Sequence, residues 1–210
     1  MAAGRLLVLF CGVLCGLPPI AAASPPVATT LRFATACAHC HEGECSGRLS
    51  FARRPETTYT HIRQYAGPVD DAFAGSLYAA LERMKADCSY PPVPVPTLVQ
   101  TLTGDDLLAY RDRWSADYFL PLGDLPAGRY RLRLDLDGSG SVRVELIDAE
   151  FDPLLDQCMS ATGHGLETTL NLTTRHPHFL RLRPRATLQI LGLQISPDGP
   201  DEPPRDPSTP

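Results

Sequence analysis

The chain has 210 residues, and its 24 Asp and Glu against 19 Lys and Arg give a formal net charge of −5. This mildly acidic sequence contains no basic patch of the size that nucleic-acid binding needs, so we expect no nucleic-acid partner. After the N-terminal region, no segment is apolar enough to span a membrane.

The N-terminus has the order of regions found in a secretory signal peptide. Arg5 supplies a positive charge, an apolar run covers residues 6–17, and Ala21-Ala22-Ala23-Ser24 offers a small-residue cleavage site. We predict a signal peptide at residues 1–23 in preference to an uncleaved anchor. The exported protein is then periplasmic or extracellular. Lys85 is the only lysine, and this bias towards Arg suggests a GC-rich bacterial genome.

Helical patterns fill the first part of the mature chain, residues 24–117. Apolar residues recur at helical spacing from Val27 towards Cys37, and a second helix is expected at 56–66. A third helix is predicted at 72–87, and its apolar stripe is formed by Phe73, Leu77, Leu81 and Met84. A proline-rich segment follows, and a fourth helix is expected to open at Thr103 and to place Leu107, Tyr110 and Trp114 on one face.

Strand patterns fill the second part, residues 118–196. Residues 129–137 and 141–147 alternate with period two, and the Gly-rich sequence 137–140 between them predicts a hairpin turn. Further strands are predicted at 166–174, 178–183 and 187–195, and short strands at this spacing are typical of a small β-sandwich. Residues 197–210 are rich in proline and acidic residues and predict a disordered tail.

The motif Cys37-Ala38-His39-Cys40-His41 carries the clearest chemistry in the sequence. Cys-x-x-Cys-His is the attachment signature of a c-type haem, in which two thiols bond to the two vinyl groups and the histidine binds the iron. Zinc is the main alternative, because Cys45 and the two histidines of the motif are also close in sequence. Export and the preceding helix favour one covalent haem c per chain.

With this motif, residues 27 to about 115 resemble the class I cytochrome c family. The resemblance rests on the helix before Cys37, the haem motif, a downstream Met, a Pro-rich loop and the closing sequence 102–114. It implies an all-α haem domain in which the first and last helices cross, with Tyr110 at the contact. The expected fold class is therefore mixed, with an all-α class I cytochrome c-like domain followed by a small all-β sandwich.

The sixth iron ligand is left open between two residues by the sequence. The fifth axial ligand is His41, and Met84 is the first candidate for the sixth because its spacing from His41 suits a compact cytochrome. His61 is the alternative, since Met and His are the axial donors of this family. An open sixth position is the remaining interpretation.

Five cysteines remain after removal of the predicted signal peptide, and the haem motif uses two of them. In an oxidising compartment the remaining thiols should be bonded. We therefore predict a disulfide between Cys45 and Cys88, which leaves Cys158 unpaired.

These expectations point to an electron carrier and not to an enzyme. One haem would support one-electron transfer with redox protein partners, and the β domain would offer docking to a protein or to the cell surface. The alternatives are a haem sensor or enzyme with an open sixth position, and a surface-binding module with an accessory haem domain.

Overall fold

The computed structural model of the chain describes residues 25–42, 54–97, 101–161, 165–173, 176–185 and 187–198. The predicted signal peptide lies outside these residues, and so does the predicted tail after Asp198. Among the helices of the described ranges, none combines the length and the apolar character needed to cross a membrane.

The helices of the described chain cluster mainly in its first part. A 3-10 helix at Pro55–Thr58 leads into the third α-helix. The α-helices are α1 Val27–Ala36, α2 Ala38–His41, α3 Tyr59–Ala66, α4 Asp71–Asp87 and α5 Asp105–Leu108. The longest of them, α4, begins where the Asp70 carboxylate accepts a hydrogen bond of 2.7 Å from the Phe73 N–H, as expected of an N-cap residue. The first three predicted helices are thus confirmed, with shifts of one or a few residues at their ends.

Eight strands form two four-stranded antiparallel sheets in the described chain. They are β1 Leu102–Thr103, β2 Tyr118–Gly123, β3 Gly128–Asp137, β4 Ser141–Ile147, β5 Pro153–Ser160, β6 Gly165–Leu172, β7 His178–Pro184 and β8 Gln189–Pro197. One sheet has the order β1-β8-β3-β6, and the other has the order β2-β7-β4-β5. Alternate residues of β3 are buried, as the period-two sequence predicts for a strand with one face on a core.

The predicted hairpin at residues 137–140 is wrong, because the two strands that it joins lie in different sheets. Strand β3 pairs with β6 and β8, whereas β4 pairs with β5 and β7. The buried residues of β3 include Leu132 and Leu134, and those of β4 include Val142 and Val144. The turn therefore carries the chain from one sheet to the other and lets both strands contribute to one core. Gly138 and Gly140 adopt positive φ angles there.

The predicted fold class is also wrong. Two antiparallel sheets dominate the described chain, and a few helices accompany them. The described residues do not form an all-α class I cytochrome c-like domain followed by a separate all-β sandwich. One cluster of buried apolar side chains runs from α1 and α4 through both sheets, so the helices and the sheets share a core.

Much of this difference lies in residues 102–114, where the fourth helix was expected to close the haem domain. Leu102 and Thr103 pair with β8, and Gly104 follows with a φ of +49°. Only Asp105–Leu108 is α-helical, and Arg111 then forms a β-bridge with Tyr118. In the described part of the chain, the family's crossing of first and last helices is therefore absent, and residues 102–114 form a short strand, one helical turn and a β-bridge instead.

A buried ion pair connects the helices to this segment. The Arg32 guanidinium donates to the Asp112 carboxylate at 2.6 Å, and the Asp112 side chain is fully buried. The same guanidinium donates twice to the Ala66 carbonyl at the end of α3, at 3.1 and 2.7 Å. Thr35 and Ser115 donate to the carboxylate as well, at 3.1 and 3.0 Å. Arg32 therefore joins α1, α3 and the segment before β2.

We expect Asp112→Asn to lower the free energy of unfolding by about 3–5 kcal/mol, because it leaves a buried guanidinium without its counter-charge. Guanidinium chloride titration of the full chain measures this change. The matched control is Asp87→Asn, which breaks an exposed pair with Arg83 and should cost less than about 0.5 kcal/mol. Equal losses in the two variants would contradict this role for Asp112.

Candidate functional site

A largely apolar cavity of about 520 Å³ lies among the helices. Its volume is within the range of roughly 300–1,000 Å³ that is usual for ligand and cofactor pockets. Its lining comes from α1 to α4 and the 3-10 helix and comprises Phe33, Ala36, Cys37, Cys40, His41, Thr57, Thr58, His61, Ile62, Tyr65, Leu77, Tyr78 and Leu81. The cavity therefore collects three residues of the Cys-x-x-Cys-His motif and the alternative axial histidine.

Both motif cysteines reach the cavity because the chain keeps turning after α1. The Cys37 N–H donates to the Phe33 carbonyl at 2.9 Å, and the Cys40 N–H donates to the Cys37 carbonyl at 3.3 Å. Both thiols are free; Cys37 is half-buried and Cys40 is exposed. His41 ends α2 beside them. The local turn predicted from the motif is thus present, and it places two thiols and an imidazole on one wall.

The zinc alternative finds no support in the described residues. No group of three or more His, Cys, Asp or Glu side chains in these ranges is arranged to hold a metal ion. Burial raises the pKa of the Cys37 thiol to about 11, so the free thiol is protonated at neutral pH. Cys45, the other sequence neighbour, lies outside the described residues.

The two candidates for the sixth ligand occupy different surroundings. His61 lines the cavity, and its ring centroid lies 6.4 Å from that of His41. Met84 is fully buried and is not among the residues that line the cavity. The predicted role of Met84 stays a prediction, and the geometry favours His61.

A buried charged network lies directly after the motif, and it was not predicted from the sequence. Arg181 of β7 is fully buried and donates to the Glu42 carboxylate and to the Tyr90 hydroxyl, the latter at 3.1 Å. The Tyr90 hydroxyl in turn donates to Glu42. Burial raises the pKa of the Tyr90 phenol, so it remains a neutral donor. Glu42, the residue after His41, is therefore held by the sandwich.

Glu145 of β4 extends this network under the motif. Its carboxylate lies 3.6 Å from the guanidinium of Arg181, 3.3 Å from that of Arg183 and 3.6 Å from the His39 imidazole. Arg183 also donates to the Thr35 carbonyl near the end of α1, at 3.1 Å. Polar groups from two strands therefore contact both sides of the haem motif.

One feature of the sequence was related to this network, namely the alternation of leucine with arginine or aromatic residues along β7. Phe179, Arg181 and Arg183 share a strand face, and an Arg-rich face of a strand is normally solvated. Here Thr35 of α1, Glu42 after α2 and Tyr90 after α4 pack on that face. Tyr90 lies on it with its ring centroid 4.7 Å from that of Phe179, and Phe119 stacks on Phe179 at 5.5 Å. Arg181 is buried and Arg183 half-buried because residues of the helical part pack on this face of the sheet.

Only one of the two cysteines of the predicted disulfide, Cys88, lies in the described residues. Cys88 is disulfide-bonded, and it follows α4 with a left-handed backbone. Cys45 lies outside the described residues, so its pairing with Cys88 stays a prediction. Cys158 on β5 is free and exposed, as expected of an unpaired cysteine.

Comparison with known proteins assigns no family to the chain. No protein-family model and no curated protein matches it. A CBM4 structure aligns at 11% identity and a TM-score of 0.28, over 39% of this chain and 60% of its own. A family GH115 4-O-methyl-α-glucuronidase with specificity for decorated arabinogalactans aligns at 9% and 0.36, over 69% of this chain and 25% of its own. A pentameric capsid protein from metagenomic phage sequences aligns at 13% and 0.25, over 49% and 71%.

We expect Arg181→Met to destabilise the full chain by about 3 kcal/mol or more, because Glu42 and Glu145 then lose a buried cation. The measurement is the midpoint of chemical unfolding. Arg131→Met is the matched control, since the Arg131 side chain on β3 is exposed, its partner Glu167 is exposed, and its second partner Asp198 keeps a pair with Arg129; it should cost less than about 1 kcal/mol. A loss at Arg181 no larger than at Arg131 would show that the network contributes little.

Proposed function

We propose that this chain is an exported c-type cytochrome that carries one covalent haem in the helical cavity and transfers single electrons. The observation that carries the proposal is the joint placement of Cys37, Cys40 and His41 on the wall of one apolar cavity. This proposal needs the motif and the cavity, and it does not need the class I cytochrome fold.

The residues of the cavity fit a haem chemically. Cys37 and Cys40 are free thiols one helical turn apart, and each S–H would add across one vinyl group to form a thioether without loss of any other group. The His41 imidazole would bind the iron from the same wall. Phe33, Ile62, Leu77 and other apolar side chains would exclude water from the porphyrin faces.

When bound, haem would supply a ferric–ferrous couple that accepts one electron from a reduced protein partner and passes it to an oxidised one. The protein would contribute by keeping one edge of the cavity accessible to these partners. Cys40, His61 and Tyr65 are exposed at the cavity, and this supports exchange at that side. The periplasm or the cell exterior, the compartment proposed from the N-terminus, is where haem c is attached.

We expect the double variant Cys37→Ala/Cys40→Ala to lose all haem that survives denaturation, because no thiol is left to hold it covalently. Haem staining of denatured protein, made in cells that contain the haem-attachment machinery, measures this. Cys158→Ala is the control, since it removes an exposed free thiol on β5 and should keep full staining. Absence of staining in the wild-type chain, or its persistence in the double variant, would refute the proposal.

A further inference from the structure

Two histidines face the same cavity from different helices. His41 is the last residue of α2, and His61 is the third residue of α3. Both belong to the cavity lining. Their ring centroids are 6.4 Å apart, and the ring planes make an angle of 80°.

This spacing is the one that two axial imidazoles need. Metal–imidazole bonds of about 2.0–2.1 Å, with each donor nitrogen roughly 1.1 Å from its ring centre, put two such centroids about 6.3 Å apart. The angle between the planes is not restrictive, because each ring can turn about its own metal–nitrogen bond without lengthening it. The separation of His41 and His61 therefore leaves room for one metal ion between the rings.

We infer that His61 is the second axial ligand of the haem, opposite His41. The inference rests on the function proposed above and adds the identity of the sixth ligand. It makes the site a bis-histidine site, in which Met84 has no bond to the iron.

The backbone that carries His61 is tied to the helix that ends at the haem motif. Ile62 and Ala66 bury the inner face of α3. The Arg32 guanidinium of α1 donates to the Ala66 carbonyl, and Arg63 donates to the Val69 carbonyl at 3.0 Å. The position of the α3 backbone relative to α1 is therefore set by these contacts before any cofactor binds, which reduces the ordering that ligation requires.

The side chain of His61 also has a neighbour that restricts it. The Tyr65 ring, one helical turn later, lies 4.9 Å from the His61 ring at an angle of 52°. Tyr65 lines the cavity and is itself 55% exposed, so it stands at the open side of the site. Its ring limits the rotation of His61 towards solvent.

Met84 is placed as a core residue. Leu77, Tyr78 and Leu81 of α4 line the cavity, but Met84, one turn further along, does not. Its side chain is fully buried in the shared hydrophobic core. The apolar stripe predicted on this helix therefore faces the cavity in its middle part only. Met159, the other Met of the described chain, lies on β5 of the sandwich.

Two imidazole ligands have consequences that a His–Met pair would not have. A thioether ligand raises the potential of a cytochrome relative to imidazole, so bis-histidine ligation predicts a lower potential. Both axial positions are then filled, and the iron is low-spin. This fits an electron carrier better than a sensor or enzyme that needs an open position.

The test compares His61→Ala with Met84→Leu in the full haem-loaded chain. We expect the oxidised wild type to be low-spin without the far-red sulfur-to-iron band. His61→Ala should become high-spin, and added imidazole should restore the low-spin spectrum, which shows that the fold is retained. Met84→Leu, a substitution of similar volume in the core, should leave the spectrum unchanged.

The outcomes separate this inference from the proposed function. Haem staining of denatured His61→Ala should equal wild type, because both cysteines remain; loss of staining in the wild type refutes the function itself. A spectrum of His61→Ala that stays low-spin overturns the inference. A shift to high spin in Met84→Leu, or a sulfur-to-iron band in the wild type, overturns it in favour of Met84.

Discussion

The buried guanidinium of Arg32 is the interaction on which the geometry of the site depends. It pairs with Asp112 in the segment before the sandwich and donates twice to the Ala66 carbonyl at the end of α3. Its own helix runs into Cys37, and α3 carries His61. One side chain thus sets the two walls of the cavity relative to each other and joins both to the sheets. A charge in this position requires complete pairing, because an unpaired buried cation is strongly destabilising.

The sandwich also holds the Cys-x-x-Cys-His motif in place through polar contacts. On the sheet face that carries them, Arg181 contacts Glu42 and Glu145 lies beside His39, and these two residues lie on either side of Cys40 and His41. Such contacts reduce the freedom of the loop that must present two thiols and an imidazole together. The sheets therefore support the proposed haem site directly, and the helical part shares its core with them. The shared core, which includes residues of α1 and α4 and of both sheets, supports the same conclusion.

Local patterns in the sequence predicted local structure well. Helix α1, helix α4 and strands β3 and β4 are where hydrophobic periodicity indicated them, because periodicity reports which side of an element is buried. The prediction of a fourth helix was wrong because the same apolar spacing is compatible with turns. In addition, Asp112 forms an ion pair with Arg32, which is 80 positions away in the sequence. The hairpin failed because an alternating pattern says that a strand has a buried face and says nothing about which strand pairs with it.

By itself, the sequence determined that Cys37, Cys40 and His41 lie close together, since residues about one helical turn apart share a face. Only the tertiary structure decided what lies opposite them. His61 is 20 positions away from His41 and Met84 is 43, and both were acceptable donors. The choice between them depends on how α3 and α4 pack on α1, and that packing follows from buried contacts between segments far apart in the chain. Arg181 is likewise buried by contacts between distant segments, because Glu42 and Tyr90, to which it donates, lie far before it in the sequence.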